Sequence, residues 1–225
     1  MRNIKKLKEP AALKKLRATR GASFNDLKGT AKQKVRENLV KEQRDLCAFC
    51  GARIYHGALD MKIAHWYPQN APGGSTHCLE YTNMLGACLG GEGRPDREQH
   101  CDTHQKDRPL AKNPANPADN IESLIEFVFL TGEIRSSDKK LNENLGAYNS
   151  KTKKYNEGVL NLNLAWMRNN RIGVLKGFQT TLGKQSLTKA QTKKHLANWD
   201  GSQLGALDPY APMVAYWLKK RLSKF

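Results

Sequence analysis

The sequence predicts an α+β fold, mostly helical, with a small metal-stapled module between two helical regions. Three observations carry this. Cys47 and Cys50 stand two residues apart in the turn Cys47-Ala-Phe-Cys50-Gly, and Cys88 and Cys101 follow where they can close one tetrahedron with that pair. Apolar residues recur at helical spacing before this stretch and again over its last third. Between them, apolar runs such as Met61-Lys-Ile-Ala are long enough only for short strands. The chain therefore divides into an N-terminal basic helical region (1–45), a zinc-containing module (46–110) and a mostly helical C-terminal region (111–225).

Taken in order, residues 3–8 read as an extended lead-in, and Pro10 sits where a helix can begin, carried by residues 11–17. Residues 21–27 break the pattern, with Ser23 or Asn25 able to cap. A second helix runs from 29 or 30 to 44, with Val35, Leu39 and Leu46 on its apolar side. Within the module, residues 69–76 form a flexible turn, and the glycine-rich stretch 89–99 loops out between Cys88 and Cys101. Residues 113–119, with two Asn-Pro or Pro-Ala steps, read as an exposed linker. Residues 121–134 lead through a short helix or strand into a hairpin around Thr131-Gly132. Three helices complete the chain. One is entered through 160–167 and runs to about 181, one starts at Ser186 or Thr188 and runs to 197, and the last covers 212–222.

Composition narrows the function. The 225 residues carry a formal charge of +17, and such an excess favours a polyanionic partner, of which nucleic acid is the commonest. Lysines and arginines of the first 36 residues, from Lys5 to Arg36, heavily outnumber acids and adjoin the cysteine module, where they can meet phosphate. No run approaches the roughly 18 apolar residues of a membrane span, and the polar start Met1-Arg-Asn-Ile-Lys lacks a secretory core. Five cysteines, four of them at metal-ligand spacing, fit a reducing cytoplasm better than a disulfide frame.

The chemistry concentrates between 47 and 107. Cys47 and Cys50 form one zinc knuckle, and Cys88 with Cys101 completes the site. His104, a helical turn beyond Cys101, is the alternative fourth ligand, and Cys101 is preferred. Cys78 is left over, a small buried or surface thiol. His65 closes an apolar run that can fix it on a strand, and an imidazole titrates near neutrality, which suits a general base. Asn83 is placed to pin a loop. Asp102 directly follows a zinc ligand, so a zinc-fixed backbone would aim its carboxylate at a hard cation.

The order Cys-x2-Cys, His65, Asn83, Cys88, Cys101-Asp102 resembles the ββα-metal, or HNH, endonucleases of the zinc-containing branch. Ile4-Lys-Lys, Glu9-Pro10, Glu42-Gln43, Ile54, His65-Trp-Tyr-Pro-Gln, Asn83-Met-Leu, Gly132-Glu-Ile and Leu160-Asn-Leu-Asn sharpen this. Together they resemble the retron- and Septu-associated HNH family called PtuB, strongly to about residue 110 and more loosely beyond.

The resemblance implies His65 as general base, Asn83 as the loop-orienting residue and Asp102 as a ligand of catalytic Mg²⁺ or Mn²⁺, with His104 able to help hold that cation. Zinc would be structural. It further implies a metal-dependent DNA endonuclease acting as the effector subunit of an anti-phage defence complex. The partners it implies are DNA, a PtuA-like ABC-type ATPase and a retron reverse transcriptase with its msDNA. Ala64 departs from the pattern, because these enzymes usually place an acidic metal ligand just before the histidine. If a carboxylate is missing there, restoring one should raise activity, whereas a cation site completed by His104 or by substrate phosphates predicts little gain or a loss. The alternative is a catalytically inactive, zinc-containing subunit that binds nucleic acid or the ATPase.

Overall fold

Pro10, with φ at −57°, pre-sets the backbone for helix α1 (Ala11–Arg17), which buries Leu13. Ser23 and Asp26 form a reciprocal capping box on a short 3₁₀ turn, and helix α2 (Gly29–Glu42) follows, burying Val35, Leu39 and Val40. The expected end at 44 is two residues too late. Arg44 and Asp45 adopt left-handed φ angles of 58° and 62°, so the chain turns out of the helix and into the cysteine knuckle. In this computed structural model, which describes residues 1–183 and 186–225, the module is built on two strands and a helix. Strand β1 (Lys62–His65) pairs antiparallel with β2 (Met84–Ala87), setting Ala64 opposite Leu85 and His65 opposite Met84. Helix α3 (Cys101–Gln105) packs on β1.

Beyond the module, the short helix α4 (Ile121–Leu124) runs straight into a hairpin of β3 (Ile125–Val128) and β4 (Glu133–Ser136). Gly132 turns it with φ at +66°. A Cβ there would lie 2.2 Å from the Arg168 carbonyl, so both the angle and the space demand glycine. Asp138 caps α5 (Lys139–Leu145), and a minimal hairpin of β5 (Tyr148–Asn149) and β6 (Lys154–Tyr155) follows. Helices α6 (Ala165–Leu182), α7 (Lys189–Trp199) and α8 (Ala211–Leu222) complete the chain, α7 opening on a Thr188–Gln191 capping box. The observed class is α+β and mostly helical, with small antiparallel sheets. Among the described residues no helix is long and apolar enough to cross a membrane.

Two stretches differ from expectation. Residues 113–119 are an exposed linker only in part, because Asn113, Pro114 and Ala115 are buried while Asn116, Pro117 and Ala118 are exposed. The Pro114 carbonyl accepts from the Ile4 amide at 2.8 Å, and the Asn113 side chain donates to the Thr82 carbonyl, so the lead-in and the module hold this segment down. Residues 160–164 precede α6 as an irregular strap rather than entering it as helix. Asn161, at φ 49°, donates to the Arg97 and Gln99 carbonyls, and Asn163 clamps Ile134 and Gly146. Buried asparagines here satisfy loop backbone that no helix or sheet supplies.

One apolar core runs through all three stretches of the chain, joining Leu13, Phe49, Leu85, Ile121, Met167 and Leu218. Helix α8 belongs to it. Met213, Val214 and Leu218 are fully buried, and the helix packs on α6, α7 and β3. Replacing Leu218 with alanine is expected to cost about 3 kcal/mol, the usual loss when a buried leucine leaves a cavity. Urea unfolding measures it, and a change below about 0.5 kcal/mol, typical of surface positions, would place Leu218 outside the core.

Candidate metal centre and adjoining site

The knuckle forms because Gly51 adopts φ +78° and folds the chain back. The Gly51 amide donates to the Cys47 carbonyl at 3.1 Å, the Cys47 amide to the Ala52 carbonyl at 2.8 Å, and the Ala52 amide to the Cys50 sulfur at 3.4 Å. Cys88 lies one residue beyond the end of β2, and Cys101 opens α3. The four sulfurs all lie within 4.8 Å of one another. A zinc with sulfur ligands at about 2.3 Å requires tetrahedral edges of about 3.8 Å. The Cys47–Cys101 and Cys50–Cys88 sulfur separations are 3.8 Å and 3.7 Å. The residues therefore fit a structural zinc, and no position is left open for substrate. Cys101 sits at a left-handed φ of 55°, a strained angle for a residue with a Cβ, held by its amide donating to the Leu160 carbonyl at 2.9 Å.

His104 is not the fourth ligand. Its Nδ1 lies 3.0 Å from the Val159 carbonyl and its Nε2 3.4 Å from the Glu157 carboxylate, so both nitrogens are engaged away from the sulfurs. The same contacts draw it from Asp102, and its expected help with a second cation finds no support in the geometry. Among the described residues, the cysteines are the one group of three or more His, Cys, Asp or Glu donors close enough to share an ion. Asp102 stands as a single carboxylate on α3. Burial pushes its carboxyl up to about 6, against the opposing pull of Lys62.

His65 ends β1 and is buried, its ring edge-on to Phe24 at 4.7 Å. Its Nε2 lies 2.9 Å from the Cys78 carbonyl. A carbonyl only accepts, so Nε2 carries the proton and Nδ1 keeps the lone pair. Burial lowers the imidazole pKa, against the Cys78 carbonyl bond, and favours this neutral form. Asn83 pins the segment that leaves β1. Its Oδ1 accepts from the Tyr67 amide at 2.8 Å, and its Nδ2 donates to the Tyr67 and His77 carbonyls at 3.0 Å and 3.1 Å. Ala64 is fully buried in the apolar core, opposite Leu85.

Cys78 and Gln105 carried no recognisable sign in the sequence, and Glu42 and Gln43 were marked only by the resemblance. Cys78 matters through its backbone oxygen, which any residue could supply. Gln105 donates to the His65 and Trp66 carbonyls, each at 3.2 Å. Gln43 bridges the Leu46 and Gly86 carbonyls and accepts from the Gly86 amide, tying α2 to both the knuckle and β2. Glu42 accepts from Lys6, from the Leu7 amide and from the Tyr81 hydroxyl, and so anchors the lead-in. The basic N-terminal region does adjoin His65. Lys32 lies over the Phe24 ring, its ammonium 4.9 Å from the centroid, and its pKa is lowered first by burial and then by nearby Arg36. No protein-family model matches the chain, and no curated protein matches it.

Two measurements check this site. Replacing Cys47 with serine, or stripping the metal with a chelator, is expected to unfold the module, because binding energy at such sites is largely folding energy. Elemental analysis of the parent should find about one zinc per chain, and an unchanged melting temperature after metal removal would overturn the assignment. Lys32→Ala and Arg36→Ala should each reduce the salt dependence of DNA binding by about one counterion. Unchanged slopes would put the phosphate-binding face elsewhere.

Proposed function

We propose that the chain is a metal-dependent DNA endonuclease of the HNH type, with a structural zinc holding its catalytic elements in place. The observation that carries this reading is the His65–Cys78 hydrogen bond. It leaves a neutral imidazole with its Nδ1 lone pair available, which is what a general base needs at neutral pH. His65 takes a proton from a water through Nδ1. The water oxygen forms a bond to phosphorus as the bond to the leaving oxygen breaks. Asp102 would hold Mg²⁺ or Mn²⁺, which when bound stabilises the charge that develops on the phosphate and the leaving group. Asn83 keeps the strand end carrying His65 in register, and the cations around Lys32 hold the backbone of the strand being cut. The sequence resemblance extends the proposal to an effector subunit in anti-phage defence, with a PtuA-like ATPase and a retron reverse transcriptase with its msDNA as partners.

A second reading rests on Ala64. The position where the resembled enzymes carry an acidic ligand is here apolar and fully enclosed, which favours a zinc-containing subunit that binds nucleic acid or the ATPase without cutting. The enclosure also reverses the expectation for a restored carboxylate. Ala64→Glu would bury an unpaired charge, so it should lose folding stability rather than gain activity.

Cleavage of plasmid DNA with Mg²⁺ or Mn²⁺, with and without the ATPase, separates the readings. His65→Ala is expected to lower cleavage by at least about 100-fold, the contribution of a positioned base, while zinc content and DNA affinity stay at parent levels. If His65→Ala cuts as well as the parent, the catalytic assignment fails. If the parent binds DNA but never cuts, the binding-subunit reading replaces it.

A further inference from the structure

One residue beyond His65 the surface opens into a cleft of about 380 Å³, within the range of small-ligand sites. Trp66, Tyr67 and His77 line it, with Glu80, Asn83 and Asn113. Its composition runs against the rest of the molecule. In a chain of net charge +17, this lining contains no lysine and no arginine. A phosphate finds no lysine or arginine to pair with there, whereas a neutral planar ring finds aromatic partners.

The three aromatic rings do not satisfy one another by stacking. Tyr67 lies 6.2 Å from Trp66 at an interplanar angle of 50°, and 6.2 Å from His77 at 82°. The Trp66 indole N–H is buried and has no acceptor among the described residues, an uncommon state for a buried donor. Glu80 adds an exposed carboxylate, 3.0 Å from the His77 Nδ1. The cleft is also rigidly built. Asn83 binds the backbone of Tyr67 on one wall and of His77 on the other, and the Tyr67 hydroxyl donates to the Pro72 carbonyl at 2.7 Å. The side chain that fixes the strand end at His65 therefore also sets the width of the cleft.

We infer that this cleft binds one unstacked nucleobase of the nucleic-acid strand presented to His65. Rings of the cleft stack on the base, and Glu80 accepts from an exocyclic amino group, so cytosine and adenine are preferred over thymine. Phosphate contacts elsewhere supply affinity, and the cleft supplies a preference for what lies next to the cut. This rests on the nucleic-acid reading proposed above, and its test needs no cleavage.

Binding of the zinc-loaded full chain is measured by fluorescence anisotropy at fixed salt, without added Mg²⁺. The probes are single-stranded oligonucleotides of equal length, oligo(dC), oligo(dA), oligo(dT) and an abasic backbone. The base-bearing strands are expected to bind roughly 10-fold tighter than the abasic one, the usual effect of one base–aromatic stack, with dC and dA ahead of dT. His77→Ala, at a half-exposed position, should shrink the advantage over the abasic strand and leave abasic binding unchanged. Glu80→Gln should remove the preference over dT alone. Trp66→Phe, which keeps a ring and removes the N–H, guards against simple loss of packing and should retain most of the stacking advantage. Equal affinity for base-bearing and abasic strands, or variants that weaken both alike, overturns the cleft while leaving the nuclease reading intact. A base preference in a protein that never cuts upholds the cleft and sinks the nuclease reading. Absence of binding to every strand at low salt sinks both the cleft and the nucleic-acid reading.

Discussion

The closure of four sulfurs into one tetrahedron is the constraint on which the rest of the module depends. Cys47 and Cys101 are 54 residues apart in sequence, yet their sulfurs stand 3.8 Å from each other. That closure fixes the knuckle, the end of β2 and the start of α3 relative to one another. Strands of four residues and a helix of five could not hold this arrangement alone, since helices this short are marginal without tertiary support. Cys101 shows the constraint locally, held at a left-handed angle that an unsupported cysteine would leave.

Around the sulfurs, amide side chains do the work that regular secondary structure does in larger folds. Gln43, Asn83, Gln105, Asn161 and Asn163 are all buried, and each bonds to backbone, Gln43 to Gly86 of β2, Gln105 to His65 at the end of β1, and the asparagines to the loop carbonyls of Tyr67, Gln99 and Gly146. A primary amide offers both donors and an acceptor, so one side chain can join two loop strands without introducing a charge. Arg171 serves the same purpose with charge. It is 2% exposed and donates to the Gly132 and Leu162 carbonyls. Burial brings its pKa down to about 10, while the nearby Cys50 sulfur opposes the fall. The hairpin of the C-terminal region and the strap before α6 are thereby tied to α6, which carries Arg171.

The candidate catalytic histidine illustrates how position and chemistry are divided. Strand β1 places His65, but the Cys78 carbonyl chooses its tautomer and Phe24 excludes water from one ring edge. Lys32, beside Phe24, brings cationic charge near the same histidine from a helix on the far side of the knuckle in sequence. A buried histidine with cationic side chains on one flank and an aromatic cleft free of lysine and arginine on the other is an arrangement suited to separating backbone contact from base contact along one strand.

What the sequence determined by itself is the four-cysteine candidate metal site and the local elements. Cysteine spacing is a direct statement of ligand geometry, so Cys47, Cys50, Cys88 and Cys101 were legible, as were Pro10, the Thr188 cap and the Gly132 turn, because each acts through its own backbone or its nearest neighbours. Spacing left His104 open as an alternative to Cys101, and the fold favours Cys101 by engaging His104 with Val159 and Glu157. The tertiary structure decided everything that depends on a partner distant in sequence. It buried the first half of the asparagine-proline stretch by pairing Pro114 with Ile4, and left Asn116, Pro117 and Ala118 exposed. It enclosed Ala64 opposite Leu85, and it gave a function to the Cys78 carbonyl. A backbone oxygen has no letter in the sequence, and a side chain's burial is set by what folds over it. Those two facts separate what could be read along the chain from what had to be seen in three dimensions.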